Sequence, residues 1–475
     1  MKRNIFYLMS SKVIWVLSGF IIHVCLGRLL GPRLYGMFGV VTAFTSIGYL
    51  ILGGGVRRAV SKYTAANPDL VEPIKTAGLK VQIPFSMAIG AALALLSKPI
   101  SSSLGDPDLS GLLKLAALII PFTGILFVYV GSMEGSRRFG RTAAVSVTYA
   151  VSRAVFVLLF VLLGLKVRGA VIGLILATSL AALMSRRLYG GFEGKGDFSS
   201  GALMRFAVPV SLFFMATALL MHIDILFVKL LLGGSEQAGF YASAQALSRP
   251  IYFVFGVFGV ILLPSISKAM ADGDLWLARR YISRSLRYMA MLLLPLAFLI
   301  SASSDELIAL FYDRSFAPAS FPLSILVFGI AFLSMSLALS AIIQGYGRPG
   351  VPLIILLCSV SLNICLLLTL TPLLRLPGAA LATTATCLAN MIALSIYVHS
   401  KFKALPSPTS LFRITLSSSI LFPIAAGVIR SGALLLPGCV GLLGFYILTL
   451  RTLGEVRGED LIFIRGMLDV KRRRG

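Results

Sequence analysis

The sequence predicts an all-α polytopic membrane protein with about 14 transmembrane helices, built as two six-helix lobes in parallel pseudo-repeat plus two C-terminal helices. Three observations carry this expectation. Of 475 residues, 57% are hydrophobic and 13% charged, with a mean hydropathy of +0.93; a soluble domain carries about 25% charged residues. Apolar runs of about 18 or more residues succeed one another almost without break, and none alternates as the strands of a barrel do, so helices are the only way to satisfy the backbone in hydrocarbon. The chain also repeats itself. Leu29-Leu30-Gly31-Pro32 with Tyr35-Gly36-Met37-Phe38 recurs loosely as Leu231-Leu232-Gly233-Gly234 with Gly239-Phe240-Tyr241. Ser61-Lys62 recurs as Ser267-Lys268, Asp69-Leu70 as Asp274-Leu275, Gly135 as Gly345, and Gly169-Ala170 as Gly378-Ala379, the last four at an offset of about 205–210 residues.

Windows of about 20 residues place the spans at 11–30, 36–56, 79–97, 111–131, 143–164, 169–185, 205–231, 239–264, 287–303, 320–340, 351–371, 378–398, 412–430 and 434–450. The first stretch resembles a signal peptide in its Lys2-Arg3 start, but no small-residue cleavage site follows and the apolar run continues to Leu30, so it reads as an uncleaved helix. A Gly-rich polar hinge at 186–204 divides the chain into an N-lobe (1–197) and a C-lobe (198–400); residues 401–475 hold the last two helices and a basic tail. Six helices is an even number, so both lobes start from the same side. The longest connections, 57–78 and 265–286, read as amphipathic helices lying in the interface; in the second, Trp276, Tyr281 and Leu286 alternate with Arg279, Arg280, Arg284 and Arg287.

The net charge of +25 invites a nucleic-acid reading, and its distribution rejects it. With the N-terminus inside, about three quarters of the 43 Lys and Arg fall on the cytoplasmic side, which places both termini in the cytoplasm of a cell-membrane protein. The tail Lys471-Arg472-Arg473-Arg474 adds attraction to anionic headgroups. The five cysteines all lie in apolar runs without a Cys-x-x-Cys pair and read as packing residues. No metal site and no phosphate-binding loop motif is present in the sequence, so a built-in ATPase is not expected.

Several segments resemble a known family. Gly256 to Lys268, containing Leu262-Leu263-Pro264-Ser265-Ile266-Ser267, is similar to the eighth-helix signature of lipid-linked oligosaccharide flippases, lipid II flippases among them. Gly27-Arg28-Leu29-Leu30-Gly31-Pro32-Arg33-Leu34-Tyr35-Gly36 resembles the first-loop signature of the polysaccharide-transporter branch, and Asn363 through Ala382 resembles its turn between helices 11 and 12. The resemblance covers residues 5–400. It implies the multidrug, oligosaccharidyl-lipid and polysaccharide flippase superfamily, with 12 or 14 helices in two bundles and alternating access.

Ionisable groups at membrane depth are costly and each needs a reason. Arg249 lies about 15 Å from the external end of its helix and is followed by Pro250. It reads either as a cation facing a central cavity and gripping a substrate phosphate, or as a structural arginine paired with a carbonyl or with Asp224. Asp224 is the acid expected deep inside a helix; it serves coupling to Na⁺ or H⁺, gating, or simple neutralisation of Arg249. His222 sits about 200° from it around the helix, so one of the two lines the cavity. Arg153 reads as a cavity cation or as a packing arginine tied to carbonyls of the fourth or sixth span. Arg57 and Arg58 are headgroup anchors or, by the resemblance, a pyrophosphate clamp at the cytoplasmic mouth. Arg28 reads as interfacial, while the resemblance implies a cavity place on this helix. His23 reads as a hydrogen-bonded packing residue. Glu134, with Arg137 and Arg138, reads as a cytoplasmic cluster bracing one conformational state. Asp106-Pro107-Asp108 has the D-x-D form that holds a metal in membrane glycosyltransferases, but it sits in a short external turn.

The expected function is a non-enzymatic flippase moving a polyprenyl-pyrophosphate-linked oligosaccharide outward, because cations dominate the buried charges. It would need no cofactor beyond Na⁺ or H⁺. Its partners would be the lipid-linked substrate, membrane lipids and the glycosyltransferases or polymerase of the same pathway. A cation-coupled multidrug exporter of the same superfamily is the alternative, and an integral-membrane glycosyltransferase stands behind both.

Overall fold

Gly31 and Pro32 break the first helix, α1 (Lys2–Gly54), in two: Gly31 takes a φ of 69°, open to glycine at no steric cost, and the proline removes a backbone donor just after it. The computed structural model describes residues 2–192, 196–252, 262, 266–429 and 432–455. Gly55 separates α1 from α2 (Val56–Ala66), and a short 3₁₀ turn (Pro68–Leu70) leads into α3 (Val71–Leu95). Then come the short α4 (Ser97–Ser103), α5 (Asp108–Ala117), α6 (Ile119–Gly135), α7 (Phe139–Phe160) and α8 (Lys166–Tyr189). The last two are joined by a π turn in which Gly164 has a φ of 87°.

The second half follows the same plan. The α9 helix (Ser200–Leu232), N-capped by the Ser199 hydroxyl and ended at Gly233 in the left-handed region, leads to α10 (Ser235–Ser248). A turn at Gly273 precedes α11 (Leu275–Ala302), whose N-terminus Asp274 caps through the amide of Leu277. The short α12 (Ser304–Phe311), a 3₁₀ turn (Arg314–Ala319) running into α13 (Ser320–Gly345), and the long α14 (Gly350–Phe402) then mirror α4, α5–α6 and α7–α8. The α14 helix is broken at Arg375, at φ 57° between Pro372 and Pro377. Two further helices, α15 (Pro408–Val428) and α16 (Gly432–Thr452), complete the chain. No strand occurs among the described residues.

Among the described residues nine segments are long and apolar enough to cross a membrane. Three of them run for 51 to 57 residues, and each contains two of the expected spans joined at a break, at Gly31, at Gly164–Lys166 and at Arg375. The expected eighth span is described only through α10 and a few residues beyond it, and most of its family signature lies outside the described residues, as do Glu193-Gly194-Lys195 of the hinge and the Lys471–Arg474 tail.

Two expectations are corrected. Neither 57–78 nor 265–286 is a single helix: the first divides at the turn 67–70 into the amphipathic α2 and the start of α3, and the second turns at 272–274, so Trp276 to Arg287 form the first half of the membrane-length α11. Cys358 and Cys365 are exposed on the helix surface rather than packed in a core; Cys387 is buried.

The lobes meet at both ends of a shared seam. At the Gly31 end one apolar core runs from Leu26, Tyr35 and Phe38 into Ile225, Ala238, Tyr241, Tyr312 and Phe316. At the α2 end Val56, Ala59 and Val60 pack with Leu203 and Ala207. The last two helices dock on α11, where Ala290 and Leu299 meet Ile414, Leu421 and Tyr446, and the Tyr446 hydroxyl donates to the Met291 carbonyl at 2.9 Å. Glu455 closes this unit with an ion pair to Arg287 at 2.7 Å and a bond from the Ser410 hydroxyl.

Candidate functional site

Pro209 and Pro250 flank the region where the buried charges collect, on α9 and at the end of α10. Asp224 faces the interior of the second lobe. Its Oδ1 accepts from the Ile225 amide at 2.9 Å and from Gln245 Nε2 at 2.7 Å, and its Oδ2 accepts from the Tyr241 hydroxyl at 2.9 Å and Thr383 Oγ1 at 3.3 Å. Four donors on one carboxylate offset the cost of removing it from water. Of the two structural partners open to Arg249, Asp224 is not the one it takes; a backbone carbonyl is. Arg249 Nη2 instead donates to the Met221 carbonyl at 2.8 Å and to Gln245 Oε1 at 3.0 Å, and lies 3.2 Å from His222 Nδ1. Gln245 therefore stands between them, one end of its amide on each charge. The angular offset of His222 from Asp224 holds: His222 sides with Arg249 and Asp224 with Tyr241.

The first lobe brings its own cations to the seam, with different partners from those expected. Arg57 pairs with Glu134, Nη2 to Oε1 at 2.6 Å and Nε to Oε2 at 3.3 Å, and lies over the Phe127 ring. Glu134 thus serves Arg57 and not the Arg137–Arg138 pair; Arg138 reaches the Tyr189 carbonyl at 2.6 Å and stacks on Phe192. The reason is geometric. Arg57 lies where α2 crosses α6 so closely that a Cβ on Gly131 would meet the Arg57 backbone, whereas Arg137 turns away at φ 59°. Arg58 is exposed and makes no hydrogen bond or ion pair with a described residue; its guanidinium lies 4.3 Å from the centre of the Phe214 ring on α9. Lys12, exposed on α1, lies in the field of Arg57 and Arg58.

Arg153 is tied to α1, not to the fourth or sixth span: its Nη2 donates to the Trp15 carbonyl at 3.1 Å and to Ser18 Oγ at 2.8 Å, between the rings of Trp15 and Tyr149. The small Gly19 admits the guanidinium, which a Cβ there would touch at 3.2 Å. Arg28 does not line the centre. It is exposed at the Gly31 end, where Nε donates to the Phe311 carbonyl at 2.9 Å and Nη2 to Leu310, capping α12. His23 makes the expected hydrogen bond, to the Tyr35 hydroxyl at 2.9 Å, and that hydroxyl meets Tyr312 across the seam at 3.1 Å.

Lys229 escaped the sequence reading because a lysine in the last turn before Gly233 looks like an ordinary C-terminal helix cation. It is 2% exposed and pairs with Asp106 at 3.1 Å. That contact consumes one acid of the D-x-D turn, and Asp108 is exposed beside it, so the two carboxylates do not converge. Among the described residues no group of three or more metal-ligating side chains forms.

A family model described as polysaccharide biosynthesis protein matches residues 25–321. The lipid II flippase MurJ of Bacillus subtilis (strain 168) is 24% identical over 404 residues, covering 74% of this chain and 73% of that one. The probable low-salt glycan biosynthesis flippase Agl15 of Haloferax volcanii is 23% identical over 386 residues and covers 79% of each. In fold, the chain superposes on a lipid II flippase MurJ in an inward closed conformation with a TM-score of 0.77 at 15% identity, covering 97% of this chain and 100% of that one. It superposes on an inward-facing multidrug resistance MATE transporter with a TM-score of 0.68 at 16% identity, covering 84% and 98%. The matched stretch runs from within α1 to the start of α13, and the chain belongs to the polysaccharide biosynthesis protein family.

Proposed function

We propose that this chain is a flippase that carries a lipid-linked oligosaccharide, anchored through a polyprenyl pyrophosphate, across the cell membrane by alternating access. The observation that carries the reading is the sign of the charges offered to the seam. Arg249, held by Met221, His222 and Gln245, and Arg58, over the Phe214 ring of the facing lobe, have no carboxylate partner among the described residues, whereas Asp224 carries four donors on its carboxylate. A pathway presenting cations and withdrawing its acid suits an anionic cargo, and opposes the cationic cargo of the multidrug alternative. Arg249 offers a planar fork to a phosphate; Arg58 and Lys12 offer a first capture point at the α2 end, with Arg57 held in place by Glu134.

The relatives that are themselves named flippases of lipid II and of a glycan support the substrate class. The proposal places both termini in the cytoplasm, so that the α2 end is the loading side. It takes 1–197 and 198–400 as the two moving lobes, with 401–475 travelling with the second, to which α15 and α16 are docked. Any coupling to Na⁺ or H⁺ is assigned to Asp224. The protein supplies no bond chemistry of its own, and glycosyltransferases or a polymerase act before and after it.

The test is reconstitution in liposomes with a fluorescent lipid-linked oligosaccharide, comparing wild type with Arg249→Ala. Wild-type translocation with loss in the variant supports the reading. Movement of a cationic dye with no movement of the glycolipid would overturn it in favour of the exporter.

A further inference from the structure

Where the repeats cross at the Gly31 end, the two copies meet through equivalent residues. A Cβ on Gly36 would overlap the Ser235 carbonyl, and a Cβ on Gly239 would overlap the Pro32 carbonyl. Gly36 and Gly239 occupy matching places in the repeat, so the copies cross where two glycine backbones leave room for each other. Directly beside this crossing lies a buried polar ring drawn from both lobes. Lys229 Nζ donates to Asp106 Oδ2 at 3.1 Å and to Ser235 Oγ at 2.7 Å, and Ser235 Oγ donates to the same carboxylate oxygen at 2.5 Å. Asp106 comes from the α4–α5 turn of the first lobe, where Gly105 at φ 62° directs the chain; Lys229 and Ser235 come from the second.

We propose that the Asp106–Lys229–Ser235 ring is the latch that holds the lobes closed at the Gly31 end, and that it must break for the seam to open there. A buried ion pair contributes little to folding when compared with apolar packing, because desolvation cancels much of the attraction. Between two bodies that separate it behaves differently. Parting the lobes leaves each charge to be rehydrated alone, so the pair makes the closed arrangement a discrete state rather than one point in a continuum. Ser235 ties the charges to the glycine crossing, since its hydroxyl closes the ring while its carbonyl abuts Gly36. Among the described residues no ion pair joins the lobes at the α2 end, where apolar packing, the Arg58–Phe214 and Lys62–Phe206 cation–ring contacts and a bond from the Tyr63 hydroxyl to the Ala202 carbonyl at 3.2 Å hold them.

The latch rests on the two-lobe alternating-access reading, but it is tested without substrate, so its failure is separable from failure of the transport assay. Spin labels at Lys98→Cys and Arg314→Cys, exposed sites on α4 and on the 3₁₀ turn before α13, report the lobe separation in full-length protein whose five native cysteines are replaced by alanine. The expected result is a short-distance population in the parent, and at least a threefold rise in a longer-distance population in Asp106→Asn and Lys229→Met. Ser235→Ala removes one hydroxyl and no charge; it is expected to fold as the parent does and to give a smaller shift in the same direction. Asp108→Asn, the exposed neighbour, is expected to change nothing. Unchanged distances in Ser235→Ala together with a folded Asp106→Asn would overturn the latch, and if Asp106→Asn does not fold, the Ser235→Ala result alone decides.

Discussion

Asp224 and Arg249 are joined through a third residue and never touch: the amide of Gln245 donates to the carboxylate at 2.7 Å and accepts from the guanidinium at 3.0 Å. The arrangement separates their tasks. Asp224 is satisfied within the second lobe, and Arg249 is oriented by neutral partners, so its charge is steered without being neutralised by a contact.

Truncating Asp224 therefore leaves the Tyr241 hydroxyl, the Thr383 hydroxyl and the Gln245 amide without their acceptor in a buried place. Asp224→Ala is expected to destabilise by about 3 kcal/mol, and Asp224→Asn by about half of that, because one carbonyl oxygen remains to accept. Thermal unfolding of the detergent-solubilised protein measures both.

At Arg249 the fork matters as well as the charge. Arg249→Lys keeps a cation but cannot bridge Met221 and Gln245 while gripping an oxyanion. Translocation of a lipid-linked oligosaccharide in liposomes is expected to fall about tenfold in the lysine variant, equivalent to about 1.4 kcal/mol, and further in Arg249→Ala.

Gly31 and Gly36 are expected to fail differently when replaced by alanine. Gly31 has open space around its Cβ position but a φ of 69° with ψ of 172°, a region that only glycine occupies readily, so Gly31→Ala costs about 1–3 kcal/mol of backbone strain. Gly36 has ordinary helical geometry but no room, and Gly36→Ala forces the two lobes apart at that end. Spin-label distances are expected to lengthen for Gly36→Ala and to stay as in the parent for Gly31→Ala.

The Arg57–Glu134 pair is about a quarter exposed on each side, and water screens it. Glu134→Gln is expected to change the unfolding free energy by less than about 1 kcal/mol. Its larger effect is to free Arg57. An anionic-lipid binding assay in detergent micelles is expected to show tighter binding in the variant.

The lobes and their repeat were legible in sequence because apolar length and a constant offset survive as one-dimensional patterns. The breaks at Gly31 and at Pro372–Pro377 follow from residue chemistry, which is position-independent. The turns at 67–70 and 272–274 are not legible in sequence, because an amphipathic stretch interrupted by a short turn carries the same alternation of apolar and basic residues as one that runs unbroken.

The charge partners were not legible, since a partner is chosen by which helix passes within about 3 Å, and that depends on packing between residues far apart in the chain. Glu134 found Arg57 over neighbouring arginines, Arg153 found α1, Arg28 found the end of α12, and Asp106 found Lys229 from 123 residues away. Composition, hydropathy and repetition by themselves determined that this is a duplicated bundle of membrane helices with an excess of cations. Only the tertiary structure decided which of those cations are spent on holding the bundle together and which stand at the seam, because in a low-dielectric interior each buried charge is committed to whatever group the fold brings against it.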